Sequence, residues 1–161
     1  MTSVVVQAHP VPDSLNGAML ERVVAGLTGA GIDHRVFRLG QGPAPTPADL
    51  DRCDELILVY PTWWGGQPAM LLAWLQELLE DTRRPLSAVE GLTAVTSLGS
   101  SRLLNRVQGE WGRRFLQRTV RSACAPSATF DWVPLYKVDR QEQPAIDAHL
   151  DQIEARFGPG R

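Results

Sequence analysis

Leu56, Ile57, Leu58 and Val59 form an unbroken apolar run bounded by the acids Asp54 and Glu55 on one side and by Tyr60-Pro61 on the other. Successive side chains of a strand point to opposite faces, so a short run of this kind is buried on both faces at once. A sheet with two buried faces is parallel and carries helices on either side. Val4, Val5 and Val6 repeat the pattern near the start of the chain, before Gln7-Ala8 and a His-Pro-x-Pro segment.

The segments between such runs change period from two to 3.6. Leu20, Val23, Val24 and Leu27 mark one helix, capped by Asp13 or Ser14 and stopped by Gly29 and Gly31. Leu71, Trp74, Leu75 and Leu78 mark a second helix from Ala69. Ile146, Leu150, Ile153 and Phe157 mark the last. Residues 109–122 read as a further helix, and residues 32–39, 92–96 and 129–133 as strands two, four and five. Residues 40–48 are a Pro/Gly linker, and residues 47–52 a loop or a turn of helix. The order βαββαβαβα with right-handed crossovers predicts a doubly wound parallel α/β sheet. At 161 residues the chain fits one domain, residues 1–161.

Composition narrows the function classes. A net charge of -2 with 43% apolar residues gives no electrostatic case for nucleic acid or an anionic membrane. The apolar stretches are strand-sized, well short of a membrane span of about 20 residues, and the expected location is the cytoplasm. Cys53 and Cys124 form no C-x-x-C pair, so they read as buried thiols, with no metal site and no disulfide.

Open α/β sheets bind ligands beyond the carboxyl ends of their strands. Three loops are expected there. Residues 61–67 hold two of the five tryptophans, Trp63 and Trp64, side by side between Pro61-Thr62 and Gly65-Gly66. Chains normally hide tryptophan, so a flat ligand and simple core packing are both open for this pair. In residues 9–18, Ser14 and Asn16 stand at a helix start whose free N–H groups suit a phosphate. Ser14 as a plain N-cap, and His9 as a structural hydrogen-bonding residue, remain alternatives. No G-x-G-x-x-G or Walker A sequence occurs, so one phosphate fits better than a dinucleotide. Residues 97–102 form the third loop, with Ser97 and Gly99.

Taken together, H-P-x-x-x-S-x-N-x-A at His9, Ser14, Asn16 and Ala18, Y-P-T-W-W…P-A-M-L…W at residues 60–74, and V-T-S-L-G-S-S at residues 95–101 resemble the flavodoxin-fold NAD(P)H:quinone oxidoreductases. This is the family of DT-diaphorase and of the bacterial modulator-of-drug-activity and potassium-efflux ancillary flavoproteins. The resemblance implies a flavodoxin-like three-layer α/β/α sandwich with a five-stranded parallel sheet in order 2-1-3-4-5. It implies an FMN site, with FAD as the runner-up, in which His9, Ser14, Leu15 and Asn16 hold the phosphate end. Pro61, Thr62, Trp63, Trp64 and Gly65 would line the isoalloxazine, and Thr96, Ser97 and Gly99 its far edge. It further implies NAD(P)H as reductant, a quinone or similar small molecule as electron acceptor, and a homodimer.

The chain also departs from the family. Gly65 stands where many relatives carry an aromatic, Leu98 where they carry glycine, and Leu72-Ala73 where Lys-Gly is usual. Asn105 and Trp111 fall near the Tyr and His of the DT-diaphorase relay, so no catalytic residue is carried over. Residues 81–91 are short, which predicts an open pocket or one roofed by a partner subunit. These departures keep two alternatives in view: a regulatory or ancillary flavoprotein with little turnover, and an interaction domain that has lost flavin. The arginines between residues 102 and 121 suit either a solvated helix face or, through Arg102 or Arg106, the 2'-phosphate of NADPH. Lys137 and Asp139 follow strand five and have a slight case for substrate contact.

Overall fold

A computed structural model describes residues 1–160. Five parallel strands, β1 (Thr2–Ala8), β2 (Asp33–Leu39), β3 (Glu55–Thr62), β4 (Gly91–Leu98) and β5 (Thr129–Leu135), lie in the order β2-β1-β3-β4-β5. This is the expected order. The helices are α1 (Leu15–Gly29), α2 (Pro47–Leu50), α3 (Ala69–Glu80), α4 (Arg102–Val107), α5 (Trp111–Phe115), α6 (Arg121–Ala123) and α7 (Gln143–Phe157).

Alternation along the strands divides the core into two layers. Val4, Val6, Leu56, Leu58 and Tyr60 face one side, where Leu71, Trp74, Leu75 and Leu78 of α3 meet Leu116 and Val120. Val5, Ile57 and Val59 face the other, against Leu20, Val23 and Leu27 of α1 and Leu150, Ile153 and Phe157 of α7. Val4, Val5, Val6, Leu56, Ile57, Leu58 and Val59 are fully buried. Burying each such side chain is worth about 1.5–3 kcal/mol, which makes the two-sided strands the main source of stability. Ser14, rather than Asp13, caps α1: its Oγ accepts from the Gly17 N–H at 3.1 Å. Residues 47–50 form a single helical turn, where the Thr46 N–H donates to the Asp49 carboxylate at 2.8 Å.

The structure corrects four readings of the sequence. β3 runs through Pro61 and Thr62, and β4 through Ser97 and Leu98, residues expected to lie in loops. Leu98 therefore stays extended and incurs no left-handed strain. α4 occupies residues expected to belong to a loop, because its apolar side chains Leu103, Leu104 and Val107 face outward and leave no buried stripe to read. The helix expected over 109–122 starts at Trp111, after Gly109 (φ 90°) and Glu110 (φ 47°), and Leu116–Val120 widen it into a π turn between α5 and α6.

Cys53 and Cys124 are buried and unpaired. Burial pushes the Cys53 thiol up to about 12 and the Cys124 thiol up to about 11, so neither supplies a thiolate near neutral pH. Among the described residues no helix is long and apolar enough to cross a membrane.

α1 and α7 approach each other over Gly26, where an added Cβ would stand 2.5 Å from the Glu154 carbonyl oxygen and 2.8 Å from the Phe157 Cβ. In a free helix Gly→Ala gains about 1 kcal/mol of helix propensity. Here backbone blocks the methyl group, and overpacking costs about 1–3 kcal/mol. Gly26→Ala should therefore destabilise the protein by up to about 2 kcal/mol in urea unfolding, whereas exposed Gly29→Ala should not.

Candidate functional site

β3 and β4 end flush, with Thr62 opposite Leu98, and the Thr62 and Thr96 hydroxyls bond at 2.8 Å one step inside that edge. The loops that follow therefore leave the sheet side by side. After Thr62 the chain reverses tightly: the Trp63 N–H donates to the Gly66 carbonyl and the Gly66 N–H to the Trp63 carbonyl, both at 3.0 Å. Trp64 (φ 53°) and Gly65 (φ 79°) occupy the tip. Two positive φ values are the geometry of a type I′ hairpin turn, whose first central position usually holds Asn, Asp or Gly. Trp64 takes it at a cost of about 1–2 kcal/mol, and the residue is 105% exposed, so no contact among the described residues repays the strain.

The turn is clamped from behind. Gly65 O accepts from the Gly112 N–H at 3.0 Å, and buried Gln67 donates through Nε2 to Gly112 O at 2.8 Å and to the Tyr60 hydroxyl at 3.3 Å. Burial pushes the Tyr60 phenol above its ordinary range, so it stays protonated. The Trp111 ring lies over Gly66, within 2.6 Å of where a Cβ would stand, and stacks on Phe115 at 5.9 Å. Only glycine at 66 admits that ring.

These elements enclose a cavity of about 630 Å³, lined by Pro61, Thr62, Trp63, Trp64 and Gly65, by Ser97, Gly99 and Ser100, by Leu104, Asn105 and Gln108, by Glu110 and Trp111, and by Val138 and Asp139. The volume is that of a small-molecule site. The Trp63 and Gly66 N–H groups are spent on the turn, but those of Trp64, Gly65, Gly99 and Ser100 donate to no described group. Their donors remain for a ligand with a polar edge. Glu110 accepts from Arg113 Nη1 at 3.4 Å.

The expected site residues divide. Pro61, Thr62, Trp63, Trp64, Gly65, Ser97 and Gly99 share the cavity. Ser14 and Leu15 line a separate depression of about 480 Å³ between α1 and α7. Asn16 is 3% exposed and braces the loops: its Oδ1 accepts from Ser97 Oγ at 3.1 Å. His9 keeps its Nδ1 in a local contact with Val11, and its ring lies 5.8 Å from that of Trp63. Thr96 is fully buried behind the cavity wall. Arg102 and Arg106 are exposed on α4 and line no part of the cavity. Sequence reasoning missed Leu104, Glu110 and Val138 as wall residues. The available signal was Gly109, whose break in the helical pattern turns the Glu110 end of the segment back over the sheet edge.

Residues 1–83, just over half of the chain, match the sequence family described as flavodoxin-like fold, and the chain belongs to that family. Among solved structures, Smu.1420 from Streptococcus mutans UA159 is similar over 98% of each chain with a TM-score of 0.83 at 16% identity. An NAD(P)H:quinone oxidoreductase from Methanothermobacter marburgensis matches with a TM-score of 0.77 at 19% identity, over 98% of this chain and 94% of its own. General stress protein 14 from Treponema denticola, solved in complex with FMN, matches over 98% of both chains with a TM-score of 0.69 at 18% identity. At these identities the likeness is one of fold. A comparison with curated proteins finds no match.

Because Trp64 is strained and unpacked, Trp64→Asn should leave stability unchanged or raise it by about 1 kcal/mol, since Asn tolerates the left-handed region. Urea unfolding checks this, and a loss of more than about 1 kcal/mol would mean that the indole packs within the chain.

Proposed function

We propose that the protein is an FMN-dependent NAD(P)H oxidoreductase that passes two electrons from the nicotinamide through flavin to a quinone or similar small acceptor. The observation that carries this reading is the cavity at the flush ends of β3 and β4, with exposed indoles on its wall and unspent N–H groups on Trp64, Gly65, Gly99 and Ser100. Indole faces suit a flat ring, and a row of donors suits the polar edge of one. The fold shared with a quinone oxidoreductase and with proteins solved holding FMN supports the same reading. FAD is the runner-up.

The residues fit such a group in two parts. Trp63, Trp64, Gly65 and Gly99 would hold the ring. The Ser14 hydroxyl and the Leu15 and Asn16 N–H groups at the start of α1 would hold the phosphate, because the first turn of a helix leaves its N–H groups unpaired and carries partial positive charge. His9 belongs to this end as the contact between its loop and Trp63. When bound, FMN supplies reversible two-electron chemistry between NAD(P)H and the acceptor. The protein's own work is to fix the ring's orientation, offer donors along its polar edge and leave one face open to the second substrate.

The reading includes a homodimer. Leu103, Leu104 and Val107 of α4 are 73%, 48% and 76% exposed beside Trp111, an apolar patch at the rim that a second copy would cover. That copy would supply the roof that residues 81–91 are too short to build.

Purified protein should be yellow, or bind added FMN with quenching of flavin fluorescence, and oxidise NADPH with menadione well above the rate of free FMN. Protein that ignores excess FMN and FAD would overturn the reading, and flavin binding without turnover would favour a regulatory flavoprotein. Ser14→Ala should weaken FMN affinity and, through the lost cap, cost about 1 kcal/mol of stability.

A further inference from the structure

We propose that the cavity prefers planar aromatic cations over anions of the same shape, and that Asp139 sets the sign of this preference; the use of such a cation as electron acceptor rests on the flavoprotein reading above. The site is the aromatic-walled cavity itself, and what remains open is which charge it favours. Its lining contains two charged side chains, Glu110 and Asp139, both acids. Glu110 is offset by Arg113 at 3.4 Å. Asp139 makes no described hydrogen bond or ion pair, and its Oδ2 stands 2.9 Å from the point a Cβ on Gly99 would occupy. The carboxylate therefore hangs over the end of β4, beside two of the unspent N–H groups. Lys137 and Arg140 flank Asp139 in the chain and are exposed, and neither lines the cavity. The arginines of α4 do not line it either.

The walls act in the same sense. Trp63, Trp64 and Trp111 are 44%, 105% and 57% exposed. The face of an indole carries negative quadrupole density and attracts a cation. An anionic ring meets the same indoles and an unpaired carboxylate with no cationic side chain on the lining, only the backbone N–H groups of Trp64, Gly65, Gly99 and Ser100 to favour it. Because Asp139 is exposed, water screens its contribution, so the preference is a matter of several-fold rather than orders of magnitude.

The charge of the acceptor also bears on release. A cation A⁺ that gains a hydride equivalent from NAD(P)H becomes neutral AH: the C4–H bond of NAD(P)H breaks, two electrons and a proton end in a new bond on A, and NAD(P)⁺ leaves; a bound flavin would supply the relay. The charge that Asp139 attracts disappears with the transfer. Product is held less tightly than substrate, with no movement of the protein required.

Three isosteres test this: N-methylphenazinium, phenazine and phenazine-1-carboxylate, each measured by equilibrium dialysis at low ionic strength against FMN-loaded protein and against protein as purified. The cation should bind about five- to tenfold tighter than the anion, with phenazine between them. Asp139→Asn should lower affinity for the cation about threefold and leave that for phenazine unchanged, with far-UV circular dichroism confirming the fold. High salt should compress the series. Equal affinities, an anion that binds tightest, a series unchanged in Asp139→Asn, or no binding of any probe would each overturn the proposal. Failure to load FMN would overturn the flavoprotein reading alone, because the dye series on unloaded protein still reads the sign of the cavity.

Discussion

The flush ending of β3 and β4 is the constraint on which the site depends. The two strands pair from Glu55 with Gly91 to Thr62 with Leu98, so the turn after Thr62 and the bend after Leu98 emerge at one level. A slip of one residue would send every inward side chain of one strand to the opposite layer, and both layers are apolar and closed. The core thus fixes the register, and the register fixes which loop backbones can face a common ligand. The Thr62–Thr96 hydroxyl bond adds little energy. It satisfies two polar side chains at the one place where the closed core gives way to the cavity.

Against that stable frame the tip of the tryptophan turn is deliberately uneconomical. Trp64 sits in the left-handed region, where an L-residue loses about 1–2 kcal/mol, and its ring meets water on every side. Such strain persists only where the surroundings over-determine the backbone. Here they do: the turn closes on itself through Trp63 and Gly66, Gly112 ties down Gly65 O, and Gln67 holds the far side of the Gly112 peptide. The loss is small beside the two-sided burial of β1 and β3, so the fold tolerates it. Gly65 has a different role from the missing aromatic wall of the relatives: its positive φ lets a tight turn present Trp64 outward.

Much of this was legible from sequence because it depends on periodicity. The β-branched and apolar runs of β1 and β3, and the stripes of α1, α3 and α7, are each made by burial, and burial leaves a pattern. Where side chains face solvent or the cavity, the pattern disappears. Leu103, Leu104 and Val107 place α4's apolar residues outside, so a real helix carried no inward stripe. Pro61 and Ser97 read as loop residues by type, yet the neighbouring strands extend the ladder through them. No residue type announces the π turn at Leu116–Val120 or the left-handed backbone of Trp64 and Glu110. The backbone of Trp64 and Glu110 is held by contacts between two segments far apart in sequence, the Gly112 N–H on Gly65 O and the Trp111 ring over Gly66.

The same distinction runs through the motif residues. A motif records which residue types occur together, and two physical roles produce the same record. Trp64 and Gly99 offer exposed surface or unspent N–H groups to the cavity. Asn16 and Thr96 turn away from it and spend their polar atoms on Ser97 and Thr62. His9, whose ring lies 5.8 Å from that of Trp63, belongs with the second group in geometry even though its loop belongs to the proposed phosphate end. A bracing residue of this kind acts on a ligand through distance: it sets how far the start of α1 stands from the end of β4. For a ligand with a phosphate at one end and a flat ring at the other, that spacing decides binding as much as any direct contact. Conservative replacement of Asn16 would therefore act on both ends together, while a change at Ser14 or Trp64 acts on one.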